Sequence, residues 1–201
     1  AIFPSTRFIS HNLRYIHRIK PVSLTVMQPI LTQRLMLRPF ELQDEEAAFA
    51  FFCDPDVMRY SLNGPHNSRK LTEDFITTNM NRQGHKGYSI WAVVERASNE
   101  VIGMCGLAEF EHGLTGIELA YRLRKECWSR GYGSEAAMVS VEYPFTEIQL
   151  DRLIAAVEPA NVASVQVLEK CGFERITRRP IAGKDAFLFK QTRNDWLTRQ
   201  F

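Results

Sequence analysis

The chain of 201 residues has no apolar run approaching the roughly 18–20 residues that cross a bilayer, so a soluble, non-membrane protein is expected. It also lacks a CxxC pair, and no histidine sits at a zinc-ligand spacing from Cys53, Cys105, Cys127 or Cys171. No metal is therefore expected. A chain this long does not need disulfide staples, which leaves free, mostly buried thiols in a reducing, cytoplasmic compartment as the expectation. Charge of one sign is missing too: 25 Lys and Arg stand against 23 Asp and Glu, a net +2, with the basic residues scattered. That distribution leaves no footprint for nucleic acid. Internal repeats and low-complexity linkers are absent. Of the familiar phosphate fingerprints, the glycine-lysine-serine/threonine triplet does not occur, and "GYGSEA" (131–136) has alanine at the third glycine of GxGxxG.

Residues 1–26 lack acidic side chains altogether while carrying Arg7, Arg14, Arg18 and Lys20. Acid-poor, arginine-rich leaders can be organelle transit peptides. The first residue is not methionine and Met27 follows the segment, which favours an added or upstream-translated extension with Met27 as the natural start. The fold is argued for residues 27–201, read as one domain.

Within that domain the apolar pattern is informative. "TQRLMLRPF" (32–40) alternates like a strand and stops at Pro39. A helical run follows Asp44 to Phe52, and a second follows Ser68 to about Gly84, with Leu71, Phe75, Ile76 and Met80 on one face. Three strands joined by short turns come next, at 88–95, 101–110 and 116–123, the signature of an antiparallel meander. A helix from Gly131 to Phe145, a strand at 152–159 and a helix from Asn161 to Gly172 follow, and strands at 173–179 and 185–191 close the chain. Ala163, Val167 and Cys171 share a face of the last helix, with Val165 and Leu168 beside it, and should pack on the sheet. The fold class is mixed α/β: one mixed, mostly antiparallel sheet with helices on its faces. Phe51, Phe52 and Trp91 read as packing, and His66, His85 and His112 as solvated loop residues.

The junction "ECWSRGYGSEAA" (126–137) places two glycines and Arg130 between a strand and a helix. Glycines also end strands for purely structural reasons. A helix N-terminus, however, presents unpaired N–H groups and the positive end of a dipole, a seat for phosphate. Gly131 and Gly133 let backbone come close, Arg130 adds charge and Ser134 a hydroxyl donor.

"ELAYRLRKECWSRGYGSEA", followed about 25 residues later by "NVASVQVLEKCGF", resembles the GNAT family of N-acetyltransferases, and within it the RimJ/RimL-like branch that acetylates ribosomal-protein N-termini. "LTQRLMLRPF" matches that branch's first strand, and the likeness covers about residues 29–195. The resemblance implies that Trp128, Ser129, Arg130, Gly131, Tyr132 and Gly133, with Ser134, cradle the pyrophosphate of acetyl-CoA. Trp128 stands where most of the family has Gln or Arg. It further implies a splayed pair of strands, one carrying Tyr121 and Leu123 and the other residues 155–157, whose backbone receives the pantetheine arm. Asn161 and Ser164 match positions near the pantetheine or thioester. Glu118, on the strand before the turn, is the implied general base, acting through water; Glu109 and Glu111 are weaker rivals. Leu168 stands where many members carry a tyrosine acid, so the proton donor is open, with Ser164 or solvent as choices. The loop 60–70, including Tyr60 and Asn63, is where the family shapes its acceptor site.

The implied activity is acetyl transfer to a protein N-terminal α-amine. A small-molecule amine (polyamine, aminoglycoside or amino acid) is the alternative, and a non-catalytic CoA-binding module the second. Neither nucleic acid nor membrane is an expected partner, and the chain would act as a monomer or homodimer.

Overall fold

The computed structural model describes residues 27–110 and 115–199. The segment 1–26 lies outside the described residues, as do Glu111 and His112. The chain runs β1 (Ile30–Leu31), β2 (Leu35–Arg38), α1 (Glu45–Phe52), α2 (Arg69–Lys86), β3 (Ile90–Glu95), β4 (Glu100–Phe110) and β5 (Gly116–Leu123). It continues through α3 (Tyr132–Thr146), β6 (Arg152–Val157), α4 (Val162–Cys171), β7 (Glu174–Ile181), β8 (Lys184–Thr192) and α5 (Arg193–Thr198). The strands form one sheet in the order β1-β2-β3-β4-β5-β6-β8-β7, antiparallel throughout except between β5 and β6. The expected mixed, mostly antiparallel architecture is thus present.

Both faces of the central strands are covered, which is why "IWAVV" reads as a continuous apolar run rather than an alternation. Trp91 and Val93 pack with Ala136, Ala137, Val141 and Phe145 of α3. Ile90, Ala92 and Val94 face the other way, against Ala48, Phe51 and Phe52 of α1 and Ile76 of α2. Phe51, Phe52 and Trp91 are therefore core, as their spacing suggests. The outer edge strand β7 carries Pro180 and the largely exposed Arg175 and Arg178, features that discourage strand addition at that edge.

Several local expectations are corrected. Helix α2 buries Thr72, Ile76 and Asn79, while Leu71 and Met80 are 46% and 39% exposed. The inward face is set by Asn79, whose Oδ1 accepts the Ile90 N–H at 3.0 Å and whose Nδ2 donates to the Phe75 carbonyl at 2.9 Å. A buried polar side chain with both ends satisfied can occupy the core, so a purely apolar reading finds Phe75 and Ile76 but misses Thr72 and Asn79. The helix also passes Gly84 and ends at Gly87, whose φ of 74° is the left-handed cap that glycine supplies. On α4 the buried residues are Leu168 and Cys171, while Ala163 is exposed. His66 is half-buried, stacked on Phe52 at 4.4 Å, with Nδ1 at 2.8 Å from Thr72 Oγ1. His85 lies inside α2 and is exposed. Helix α5 was not anticipated, although Thr192 and Asp195 form its capping box.

Asp44 ties β2 to the start of α1. It is buried and accepts from Arg38 Nη1 and Nη2 at 2.7 and 2.8 Å and from the Glu41 N–H at 2.8 Å. Removing one partner of a buried pair strands the other charge, at about 3–5 kcal/mol. Asp44→Asn is expected to lower the unfolding free energy by about 3 kcal/mol in urea titrations; a loss below about 1 kcal/mol would show that the pair is dispensable.

Candidate active site

Strands β5 and β6 touch in register only at Glu118 and Ile154. Beyond that point β5 continues along β4 as far as Leu123, paired with Gly103, and β6 continues along β8 as far as Val157, paired with Phe187. Each strand keeps its outer partner and loses its inner one. The edges formed by residues 119–123 and 155–157 diverge into a cleft of about 840 Å³. Inward-facing N–H and C=O groups there lack a strand partner, which is costly unless water or a ligand supplies one. The splayed pair expected from the sequence is present.

At the open end of the cleft lies the 128–133 turn. Ser129 and Gly131 have φ of 58° and 82°, with Arg130 between them. Such alternation of handedness points successive N–H groups into one concavity, an anion-binding nest. Gly131 is the N-cap of α3, so the first amides of that helix add to the concavity. The turn is clamped from β1–β2: Glu135 accepts from Thr32 Oγ1 at 2.6 Å, the Arg34 N–H at 2.8 Å and Arg34 Nε at 2.7 Å. Arg34 Nη1 in turn donates to the Arg130 carbonyl at 2.8 Å. Burial pushes the Glu135 carboxyl up, but these hydrogen bonds and the Arg34 charge prevail and hold it below its ordinary value.

Trp128, Ser129, Gly131, Gly133 and Ser134 line the cleft, as do Tyr121 and Leu123. Arg130 and Tyr132 do not. The Arg130 guanidinium turns away to the Tyr132 hydroxyl at 3.0 Å and Glu95 at 3.5 Å, and lies over the Tyr132 ring. This corrects the reading of Arg130 as a free charge for phosphate: Glu95 already engages it. Tyr132 is itself buried, with its hydroxyl donating to Glu95. The tryptophan at 128 has a local reason, since its indole N–H donates to the Leu123 carbonyl at 2.9 Å and fixes the end of β5.

Across the cleft, Asn161 and Ser164 line the N-terminal turn of α4. Asn161 Oδ1 accepts the Ser164 N–H at 3.2 Å and so caps the helix. Tyr121 reaches over from β5, its hydroxyl 3.4 Å from the Ser164 carbonyl oxygen. Burial raises the Tyr121 pKa, so the phenol stays protonated at neutral pH and places an O–H in the cleft. Leu168 is buried against the same region. Sequence reasoning took Tyr121 only as part of the strand edge; its contact with α4 depends on tertiary packing.

Glu118 sits at the apex, where the strands part. Strand alternation sends Ile117 and Leu119 to the α3 side and leaves Glu118, Ala120 and Arg122 on the opposite face, lining the cleft. Burial pushes the Glu118 carboxyl up to about 7, opposed by the positive charge of Arg122. The roof is the α1–α2 loop: Tyr60 donates to the Ala160 carbonyl at 3.2 Å, and Lys184 Nζ lies 3.4 Å from the Ser61 carbonyl oxygen. Tyr60 therefore lines the cleft as expected, whereas Asn63 does not. Glu109 is paired with Lys86 outside the cleft. Among the described residues no cluster of His, Cys, Asp or Glu is arranged to hold a metal.

The two glycines of the turn have different reasons to be glycine. At Gly131 the constraint is conformational, a φ of 82°. At Gly133 an added Cβ would meet Leu123 Cδ1 at 3.8 Å and Tyr121 Cε2 at 3.9 Å, ordinary contacts that the protein tolerates. Any penalty at Gly133 should then fall on a ligand seated in the turn. Gly133→Val is expected to keep the unfolding free energy within about 1 kcal/mol while weakening coenzyme A binding at least ~10-fold by calorimetry. Unchanged affinity would remove the turn from ligand binding.

Comparison with known proteins fits this geometry. The acetyltransferase (GNAT) domain family matches residues 34–174. Among curated relatives, the uncharacterized protein YkkB of Bacillus subtilis is 33% identical over 76% of this chain and 92% of its own length. The uncharacterized N-acetyltransferase p20 of Bacillus licheniformis is 29% identical over 74% of this chain and 84% of its own. A GNAT acetyltransferase structure from Bacillus anthracis superposes with a TM-score of 0.72 at 27% identity, covering 83% of this chain and 99% of that one. More distant structures share the fold. A ribosomal-protein-S5-alanine acetyltransferase from Vibrio fischeri has a TM-score of 0.70 at 18% identity, covering 85% of this chain and 99% of that one. Spermidine N-acetyltransferase from Vibrio cholerae, in complex with CoA and spermine, has 0.69 at 20%, covering 83% and 99%. With a splayed β5–β6 pair, a glycine turn at the start of α3 and a family match over most of its described length, this chain belongs to the GNAT acetyltransferases and is an N-acetyltransferase.

Proposed function

We propose that the enzyme transfers the acetyl group of acetyl-CoA to an N-terminal α-amine of a protein, in the reducing environment of the cytoplasm that its unpaired cysteines suit. When bound, acetyl-CoA supplies the thioester carbonyl as electrophile and a thiolate as leaving group. The nest at residues 129–131 and the first amides of α3 hold its pyrophosphate. The unpaired edges of β5 and β6 offer hydrogen bonds to its peptide-like arm, as to an added strand. Gly131 and Gly133 leave that approach open, and Ser164 and Asn161 face the same space.

The observation that carries the choice of acceptor is the Glu118 carboxyl, raised to about 7 at the apex of the cleft. An amine attacks only as its neutral form, so a base must take a proton first. Against a base near 7, an α-amine of pKa about 8 presents a small uphill transfer; a lysine-like amine near 10.4 is roughly a hundred-fold worse. Charge in the cleft also argues against a polycation. Asp56 is engaged by Lys125, and Glu158 by Lys184 at 2.8 Å. Glu118 Oε receives the proton, through water or directly, and in this reading the Tyr121 hydroxyl, which lies 3.4 Å from the Ser164 carbonyl oxygen, or Ser164 itself returns one to the leaving thiolate. A thiol pKa of about 8.5 keeps the demand on that acid modest.

Acetyl-CoA-dependent thiol release across peptides with varied N-termini, polyamines, aminoglycosides and free amino acids tests the reading. Turnover is expected with peptide α-amines, and turnover with polyamines alone would overturn it. Because Glu118 acts as the ionised form, kcat should rise with pH through about 7 and then level off. Glu118→Gln is expected to lower kcat about 100-fold and abolish that limb while sparing acetyl-CoA binding. An unchanged rate would remove Glu118 from the chemistry. Tyr121→Phe should lower kcat while leaving the limb near 7 in place, because the base is untouched; a rate equal to wild type would assign the proton to Ser164 or solvent.

A further inference from the structure

We infer that Arg122 anchors a carboxylate carried by the acceptor, so that the amine meets Glu118 while its own anionic group, several bonds away, meets the guanidinium across Ala120. The inference rests on the proposed amine acetylation and adds a substrate class to it. Arg122 lies four positions after Glu118 along one strand, which places their Cα atoms roughly 13 Å apart on the same face. Ala120 lies between them and contributes only a methyl, so the floor of the cleft stays low along that line.

Arg122 differs from the other cations of the cleft. Lys184 is paired with Glu158 at 2.8 Å, Arg59 approaches Asp56 at 3.9 Å and is largely solvated, and Lys170 is exposed on α4. Arg122 is partly buried, and its guanidinium makes no hydrogen bond or ion pair among the described residues. A guanidinium has five donors and keeps its charge, so one that lines a cleft with no protein acceptor is suited to an anionic partner. Burial lowers its pKa, and the Glu118 charge only partly offsets that. The neighbouring imidazole of His66, on the α1–α2 loop, is held below its ordinary value by burial and then by the charge of Arg122, so it stays neutral and does not compete for the anion. Planar, bidentate pairing with a carboxylate is the geometry an arginine fork favours.

A carboxylate near an amine can come from an acidic residue close to a peptide N-terminus or from a small amino acid. Two matched pairs separate these sources: the tripeptide amides Ser-Glu-Gly and Ser-Gln-Gly, and β-alanine against β-alaninamide. In at least one pair the carboxylate partner should have a kcat/KM about 10- to 100-fold higher. Arg122→Gln should bring that ratio to near one, and Arg122→Lys should restore part of it. A wild-type ratio near one in both pairs overturns the inference even if the variants do not fold. A ratio that survives in Arg122→Gln overturns it as well. Calorimetric binding of the same pairs to protein saturated with CoA keeps the two readings apart. A carboxylate preference in binding without turnover retains the Arg122 anchor and removes the proposed reading of the acceptor. Turnover without preference does the reverse, and no preference in either measurement overturns the anchor.

Discussion

A single residue pair, Glu118 opposite Ile154, joins the two halves of the sheet through the only parallel contact among the described residues, and most of the site follows from where that contact stops. The β1–β5 meander is held by its own antiparallel ladder, and β6 by its ladder to β8. Neither half needs the other beyond the apex. The strands diverge while remaining paired on their outer sides, and the energetic burden of unpaired backbone is confined to two facing edges. The same geometry that opens a receptor for an extended, amide-bearing arm therefore brings a carboxylate to its closed end. Apex, carboxylate and cleft are consequences of one register.

What keeps the open end in shape is a second set of contacts, made by side chains rather than by the sheet. Glu135 gathers hydrogen bonds from Thr32 and from both the backbone and side chain of Arg34, and Arg34 holds the Arg130 carbonyl. Ser129, a non-glycine residue held at a φ of 58°, is strained and persists only where its surroundings fix it. The network does so, and it occupies the charged groups that might otherwise be taken as phosphate ligands. Arg130 is the clearest case: its carbonyl and guanidinium both serve the turn's own geometry. In the proposed reading, anion recognition then falls to backbone amides, which carry no side-chain freedom to lose.

The legible parts of this protein were those written in adjacent residues. Short turns between strands announced the meander, Asn161 and Gly172 marked both ends of α4, and the glycine turn fell where α3 begins. Illegible parts needed a partner from far along the chain. The buried face of α2 could be read only in part because Asn79, polar by type, is satisfied by Ile90 of β3. Tyr121 gave no sign of its hydroxyl's position, which depends on how β5 packs against α4. Arg122 is intermediate: period-two alternation alone puts it on the face of Glu118, yet only the tertiary environment reveals that no carboxylate pairs with it among the described residues.

Glu118 and Arg122 also act on one another, and the direction of that coupling bears on how acceptor recognition reaches the chemistry. Arg122 pulls the Glu118 carboxyl downward against the larger effect of burial. An anion seated on Arg122 would neutralise that pull and exclude water from the same face. Both changes disfavour the ionised carboxylate and make it a stronger base towards the amine beside it. An acceptor lacking the anion would leave Arg122 bare and Glu118 a weaker base. Discrimination would then appear in the proton-transfer step as well as in binding, because the group that recognises the acceptor also sets the basicity of the group that activates it.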